Sequence, residues 1–219
     1  MKVPNIIYED NDMIVCYKPS GMATQTRRIG QQDMESFIRN YRAAKNEPPY
    51  VGIVHRLDQP VEGVMVFAKN QKAAASLSRQ IKEHTTEKYY RAASRGHGVS
   101  GADKKEDNHD PAWHTLTDYI SFDKRTNTSK ITSEKDRQAK KAVLQYRILS
   151  NECNKTEFDI KLLTGRHHQI RLQLANIGYP LIGDTKYGGE TAREQLALCS
   201  YKLVFDHPAT GERMTFELP

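Results

Sequence analysis

The sequence predicts an α+β chain built on an antiparallel-rich sheet. Three observations predict it. Strand-like runs come first and dominate the second half. Helical stretches interrupt them without the regular strand–helix alternation that a parallel doubly wound sheet needs. Each of the first two helical stretches is apolar on one face only, so it covers a sheet rather than filling a bundle.

In chain order, Ile6-Ile7-Tyr8 and Met13 to Tyr17 read as two strands around an Asp10-Asn11-Asp12 turn. Lys18-Pro19-Ser20-Gly21 stops the second, because proline donates nothing to a ladder. Met34, Phe37, Ile38 and Tyr41 recur at helical spacing within 32–45, and Pro48-Pro49 closes that segment. Val51 to Val54 is a short strand, His55 to Gly63 a polar loop, and Val64 to Ala68 a buried strand. Asn70 is placed to cap a helix over 71–84 with Ala73, Leu77 and Ile81 on one stripe. Lys88 to Ala93 is the next strand, and 94–115, with three glycines and a charged run, is expected to be a long exposed excursion. Strands return at Ala142–Leu149, Glu157–Leu163, Lys202–Phe205 and Met214–Leu218, around one helix from His168 to Ile177 with Gly178 at its C′ position.

The 219 residues hold 33 Lys+Arg against 27 Asp+Glu, a net charge of +6, which favours an anionic partner and RNA or DNA first. Lys124, Arg125, Lys130, Lys135, Arg137, Lys140 and Lys141 face only Glu134 and Asp136, so 124–141 carries 7 − 2 = +5 of that charge. No run approaches the ~20 apolar residues of a membrane span. Three scattered cysteines, Cys16, Cys153 and Cys199, without a CxxC pair argue against a disulfide framework or a structural zinc site. The expected location is therefore the cytoplasm. No phosphate-cradling glycine loop and no nucleophile elbow is present. His167 and His168 are adjacent, so their side chains diverge by ~100° on a helix and make poor joint metal ligands. No metal is expected.

Two polar segments stand beside apolar strands. One is His55-Arg56-Leu57-Asp58; by itself it reads as a surface ion pair. The other is Thr164-Gly165-Arg166-His167-His168-Gln169-Ile170-Arg171, which crowds donors near a helix N-terminus and reads equally as an anion site or as a cap.

Together these segments resemble the signature of the RluA-type pseudouridine synthase family. Its H-R-L-D-x-x-T/S-S-G block is matched by His55-Arg56-Leu57-Asp58-Gln59-Pro60-Val61-Glu62-Gly63 and its T-G-R-x-H-Q-I/L-R block by 164–171. The G-x-P-I/L-x-G-D-x-x-Y-G block is matched by Gly178 to Gly188. Tyr17-Lys18-Pro19-Ser20-Gly21-Met22, Lys88-Tyr89-Tyr90-Arg91-Ala92 and His207-Pro208 with Gly211 match three further elements in order. Two departures stand out: Val61-Glu62 replaces the family's Thr-Ser, and Cys199 stands where histidine is common. An inward Glu62 would raise the Asp58 pKa by like-charge repulsion; the expectation is that it faces solvent.

The resemblance implies a pseudouridine-synthase-like α+β fold, a long, mostly antiparallel mixed sheet in two halves flanked by helices with a single catalytic cleft. It also implies isomerisation of uridine within an RNA chain, without cofactor or metal. Asp58 attacks C1′ or takes a proton from C2′, Arg171 is the cation that keeps it ionised, and Tyr90 packs on the flipped base. Arg56, Arg166, His168 and Gln169 are the expected RNA contacts. For the last three, fixing the turn by structural hydrogen bonds is the equal alternative. Lys72, Arg79 and Lys82 on the 71–84 helix, and the 124–141 cluster, are candidate contact surfaces. The expected partner is a ribosomal RNA of the large subunit first and a transfer RNA second, met by a monomer. With motifs spread from residue 6 to 218, residues 1–219 are expected to form one catalytic domain without an appended N-terminal RNA-binding domain. The competing reading is an RNA-binding or folding factor of the same fold without turnover. A glycosidase using Asp58 and Glu62 is remote, since no tryptophan accompanies them for sugar stacking.

Overall fold

The computed structural model describes residues 4–26, 28, 30–95, 110–152, 155–188 and 194–219. In chain order the elements are β1 (Asn5–Glu9), β2 (Met13–Lys18), α1 (Met34–Ala44), β3 (Gly52–Ile53), β4 (Glu62–Ala68), α2 (Gln71–Lys82) and β5 (Glu87–Ser94). Then come β6 (Asp110–Asp123), β7 (Thr128–Thr132), β8 (Lys140–Glu152), β9 (Lys155–Leu162), α3 (Gln169–Asn176), β10 (Leu198–Asp206) and β11 (Arg213–Glu217). The chain divides into two compact units, one from 1–88 with 200–219, the other from 89–199.

In the first unit β2 lies between β1 and β4, antiparallel to both; β3 also pairs β4, β10 neighbours β4, and β11 pairs β10. Met13, Val15, Val64, Val66, Leu203, Phe205 and Phe216 from these strands meet Ala73 and Leu77 of α2 in one apolar core. Burying a side chain of this size is worth roughly 1.5–3 kcal/mol. The expected Asn70 cap is present, its side chain accepting from the Ala73 N–H at 2.8 Å. Asp33 caps α1 in a reciprocal box with Ser36. Gly63, with φ +136°, lies where an added Cβ would stand 2.2 Å from the Ser200 carbonyl oxygen, so only glycine fits. His207 of the His-Pro turn accepts from Ala209 and Thr210 N–H on Nδ1 and bonds Asp10 through Nε2 at 2.8 Å. Asp10 also accepts from the Asp12 and Met13 N–H groups. Asp10, Asp12 and His207 are the one cluster of metal-ligand type among the described residues, and these hydrogen bonds already engage Asp10 and both ring nitrogens of His207.

In the second unit the order is β5-β9-β8-β6-β7, with every pair antiparallel. α3 is tied to this sheet by Gln173, whose Nε2 donates to Asp118 Oδ2 at 2.7 Å. Gly178 has φ +87° and donates its N–H to Ala175, as its C′ placement requires.

The structure corrects the reading of 94–115. The excursion over 94–115 is cut short: Ser94 ends β5, and Asp110 opens a 14-residue strand. Residues 96–109, which hold the three glycines and the charged run, lie outside the described residues, as does Cys153. The strand escaped notice because residues 112–115 are exposed, which removes the apolar alternation that marks a half-buried strand.

Candidate active site

Asp58 sits on the loop between β3 and β4, and that loop is strapped to the Lys18-Pro19-Ser20-Gly21 turn. The Gly21 N–H donates to the Gln59 carbonyl at 2.9 Å, and Ser20 Oγ donates to the Pro60 carbonyl at 2.7 Å. Gln59 Nε2 donates back to the Gly21 carbonyl at 2.9 Å. Thr24 Oγ1 both accepts from the Leu57 N–H and donates to the Leu57 carbonyl. Lys18, fully buried, donates through Nζ to the carbonyls of Met22 at 2.5 Å and of Pro19 and Gln59 at 3.1 Å each. The side chains flanking Asp58 alternate by environment: Leu57 and Val61 are buried anchors, Arg56 is exposed, and Asp58 is half-buried. His55 accepts from the Val66 N–H on Nε2 at 3.1 Å. Burial, then the Lys88 charge, push its pKa down to about 3, so it is neutral and structural.

Lys18 was passed over by sequence reasoning, although it lies in a quoted motif. Burial lowers its ammonium to about 8, against the opposing pull of Asp58 and Glu62. At pH 7 it therefore remains mostly cationic, a buried positive charge whose field acts on the Asp58 carboxylate. Glu62 departs from the expectation that it faces solvent. It is half-buried at the start of β4, and Tyr17 Oη donates to its Oε2 at 2.6 Å. The pairing of β2 with β4 explains this, since it places Tyr17 opposite Val64 and Lys18 opposite Gly63. Val61, in the other replaced position, is 3% exposed and serves packing.

Tyr90 and Arg171 belong to the second unit. Tyr90 is buried on β5 opposite Ile160, while its neighbour Tyr89 is half-buried with the Lys161 ammonium 5.3 Å from its ring. Arg171 is buried in the first turn of α3 and fixed by a bidentate pair with Asp184: Nε to Oδ2 and a terminal nitrogen to Oδ1, both 2.7 Å. Burial alone would raise the Asp184 carboxyl. The Arg171 bonds and charge, with the Lys186 and Tyr187 N–H groups, hold it below the ordinary value. Such planar two-point pairing fixes guanidinium orientation as a lysine could not. Tyr187 lies against the same guanidinium, 5.4 Å from its ring centre. Asp184 and Tyr187 are the acidic and aromatic residues of the block 178–188, and their pairing with Arg171 across 13 and 16 positions is invisible to local pattern.

The remaining expected contacts fix the turn. Gln169 is buried; its Oε1 accepts from Thr164 Oγ1 at 2.8 Å and from the Arg166 N–H at 3.0 Å. Arg166 Nε donates to the Lys141 carbonyl at 2.9 Å. His168 holds φ +55° at the N-cap of α3, a left-handed conformation that costs a non-glycine residue of order 1 kcal/mol and is found where a site is over-determined by its surroundings. Burial, then the Arg171 charge, lower its pKa to about 3, so this imidazole carries no charge at neutral pH.

Residues 12–176 match the family model described as RNA pseudouridylate synthase. The ribosomal large subunit pseudouridine synthase D of Vibrio cholerae is 33% identical over 236 residues, covering 98% of this chain and 67% of that protein. The protein of the same name from Pseudomonas aeruginosa is 34% identical over 98% of this chain and 67% of its own length. This chain thus spans about two thirds of either relative. Among solved structures, human RNA pseudouridylate synthase domain containing 4 superimposes with a TM-score of 0.75 at 21% identity, over 98% of this chain and 87% of that one. Human RNA pseudouridylate synthase domain containing 1 gives 0.73 at 23%, over 99% and 83%. Both share the fold.

Proposed function

The chain belongs to the RNA pseudouridylate synthase family, and from that premise we propose that it isomerises a uridine of large-subunit ribosomal RNA, with Asp58 as the reacting carboxylate. One observation carries the choice of RNA: relatives named for the ribosomal large subunit are about one-third identical along 98% of this chain. The family match runs through residues of both units, which supports reading them as one catalytic domain. No helix among the described residues is long and apolar enough to cross a membrane. A cytoplasmic monomer acting on ribosomal RNA completes the proposal.

The reaction breaks the N1–C1′ bond, turns the uracil, and forms a C5–C1′ bond. The proton on C5 is lost and N1 ends protonated, so nothing is oxidised and no group is imported. Asp58 serves either as nucleophile at C1′ or as base at C2′; both need it ionised. The strapped loop gives it a fixed position, and the buried Lys18 ammonium lies within electrostatic reach of it. Tyr90 offers a ring to the flipped base, and Arg171, held by Asp184, offers an oriented cation. Arg56 is the proposed phosphate contact, a reading supported by its exposure beside Asp58.

The test is to incubate purified chain with large-subunit ribosomal RNA transcripts and, separately, with transfer RNA anticodon arms, and to map pseudouridines. Conversion of a discrete uridine in the ribosomal transcript is expected. Conversion confined to transfer RNA would move the target, and tight binding that leaves every uridine unchanged would favour a binding factor.

A further inference from the structure

Among the described residues, several exposed arginines and lysines pair with carboxylates. Arg39 meets Glu35, Lys45 meets Glu9, Arg95 meets Glu194, and Arg213 meets Glu87 and Asp206. The segment 124–141 departs from this pattern. All seven of its cations are exposed, and among the described residues none forms an ion pair. Its two acids are engaged locally: Glu134 accepts from the Tyr119 hydroxyl, and Asp136 accepts from Thr132 Oγ1 and the Gln138 N–H. The structure places these cations on the turn between β6 and β7, on β7, on the following turn and at the start of β8. Together with Glu134 and Asp136, whose carboxyl Lys130 helps to lower, they leave a net +5 on this segment, a basic ribbon along the chain.

An aromatic ring stands at the edge of that ribbon. Phe122, 39% exposed, precedes the β6–β7 turn and lies opposite Ser129. Its ring rests on His167 with centroids 4.4 Å apart; His167 stacks on His168 at 3.7 Å; His168 meets Tyr187 edge-on at 5.5 Å, and Tyr187 borders Arg171. Ser129 bolts this arrangement to the ribbon. Its N–H donates to Tyr187 Oη at 2.8 Å, and its hydroxyl bonds both the ring Nδ1 and the carbonyl of His167 at 2.9 Å. Lys186 Nζ adds a 2.7 Å bond to the Asn127 carbonyl in the turn itself. The ribbon is therefore fixed relative to the Arg171 motif rather than loosely appended.

We propose that this ribbon docks the RNA strand flanking the target uridine, its phosphates on the exposed cations of 124–141 and one unstacked base on the Phe122 ring. The proposal rests on the function given above. A regularly spaced polyanion satisfies many cations at once, and a planar base is the complement of an exposed, supported ring; this pairing of charge track with aromatic platform is the usual chemistry of single-stranded RNA recognition. An acidic protein segment would match the charge but give the Phe122 platform no counterpart.

The test measures the affinity of a labelled stem-loop transcript, its salt dependence, and its conversion, for the parent chain, for Phe122→Ala, and for the doubly substituted Lys124→Glu/Arg125→Glu. A doubly substituted control, Arg39→Glu/Lys155→Glu, makes the same change in net charge elsewhere on the surface. Thermal melts confirm that each chain folds. Phe122→Ala is expected to weaken binding about tenfold, within the range for one lost base–ring stack. Lys124→Glu/Arg125→Glu is expected to weaken it by a similar factor and to make the log–log salt slope shallower by about 1.4, the value for two phosphate contacts on a single strand. KM should rise more than kcat falls, while the control stays within about twofold. Affinities within twofold of the parent for both ribbon variants would overturn the proposal, as would a control that weakens binding equally. A parent chain that binds through the ribbon yet converts no uridine would sink the functional reading and leave the docking surface standing.

Discussion

The loop carrying Asp58 and the turn carrying Arg171 solve opposite electrostatic problems by mirror-image means. Around Asp58 the buried charge is a lysine, its proton donors spent on three backbone carbonyls, and the reactive carboxylate stays half-exposed. Around Arg171 the buried partner is a carboxylate, Asp184, that orients the cation through two bonds of 2.7 Å. In the first region the counter-charge acts through its field and through loop geometry; in the second it acts by direct contact. The first region is therefore expected to respond to pH through Lys18, and the second to loss of either partner of its buried pair.

Asp184→Asn breaks that comparison most severely. It strands a buried guanidinium, and losing one partner of a buried pair costs about 3–5 kcal/mol. A large fall in the urea midpoint is expected, with loss of turnover even where the chain remains folded. Lys18→Met is the matched change in the other region. It removes the donor to three carbonyls, a loss of about 1–3 kcal/mol in stability, and removes the cation beside Asp58, so turnover should fall further than stability does. Equal losses in both would make Lys18 a strut only.

The sequence was read correctly where chemistry follows local pattern. The strand Met13–Tyr17, the apolar run Val64–Ala68, the Asn70 cap and the Gly178 stop all form as expected. Asp58, Tyr90 and Arg171 are legible through the resemblance of their blocks to the family's motifs. What could not be read is pairing across loops. Arg171 with Asp184 depends on how residues 178–188 fold back, and Glu62 with Tyr17 depends on the register of β2 on β4. Lys18 reads only as part of the strand-ending Lys-Pro turn, because the three carbonyls that converge on it are brought together by the fold. The 124–141 charge was legible as a cluster, whereas its joining to Phe122 and His167 required the β6–β7 register.

A pH titration sharpens the contrast. Lys18 has a folded value of about 8 against an ordinary 10.5, so between these the unfolded chain binds more protons at this site. Its contribution to stability therefore rises with pH across that window. Turnover should do the opposite, declining above pH 8 as the charge beside Asp58 is lost. Lys18→Arg should shift this decline to higher pH, and an unmoved alkaline limb would dissociate Lys18 from Asp58. The smallest effect belongs to Glu62→Gln. It keeps an acceptor for Tyr17 while removing one negative charge near Lys18, and a change in kcat of no more than about threefold is expected by stopped-time conversion assays.

The most direct measurement is conversion of the mapped uridine by Asp58→Ala and by the parent chain at equal, saturating RNA occupancy. The account predicts that Asp58→Ala binds the transcript with near-parental affinity and forms no detectable pseudouridine. Parental turnover by Asp58→Ala would contradict it.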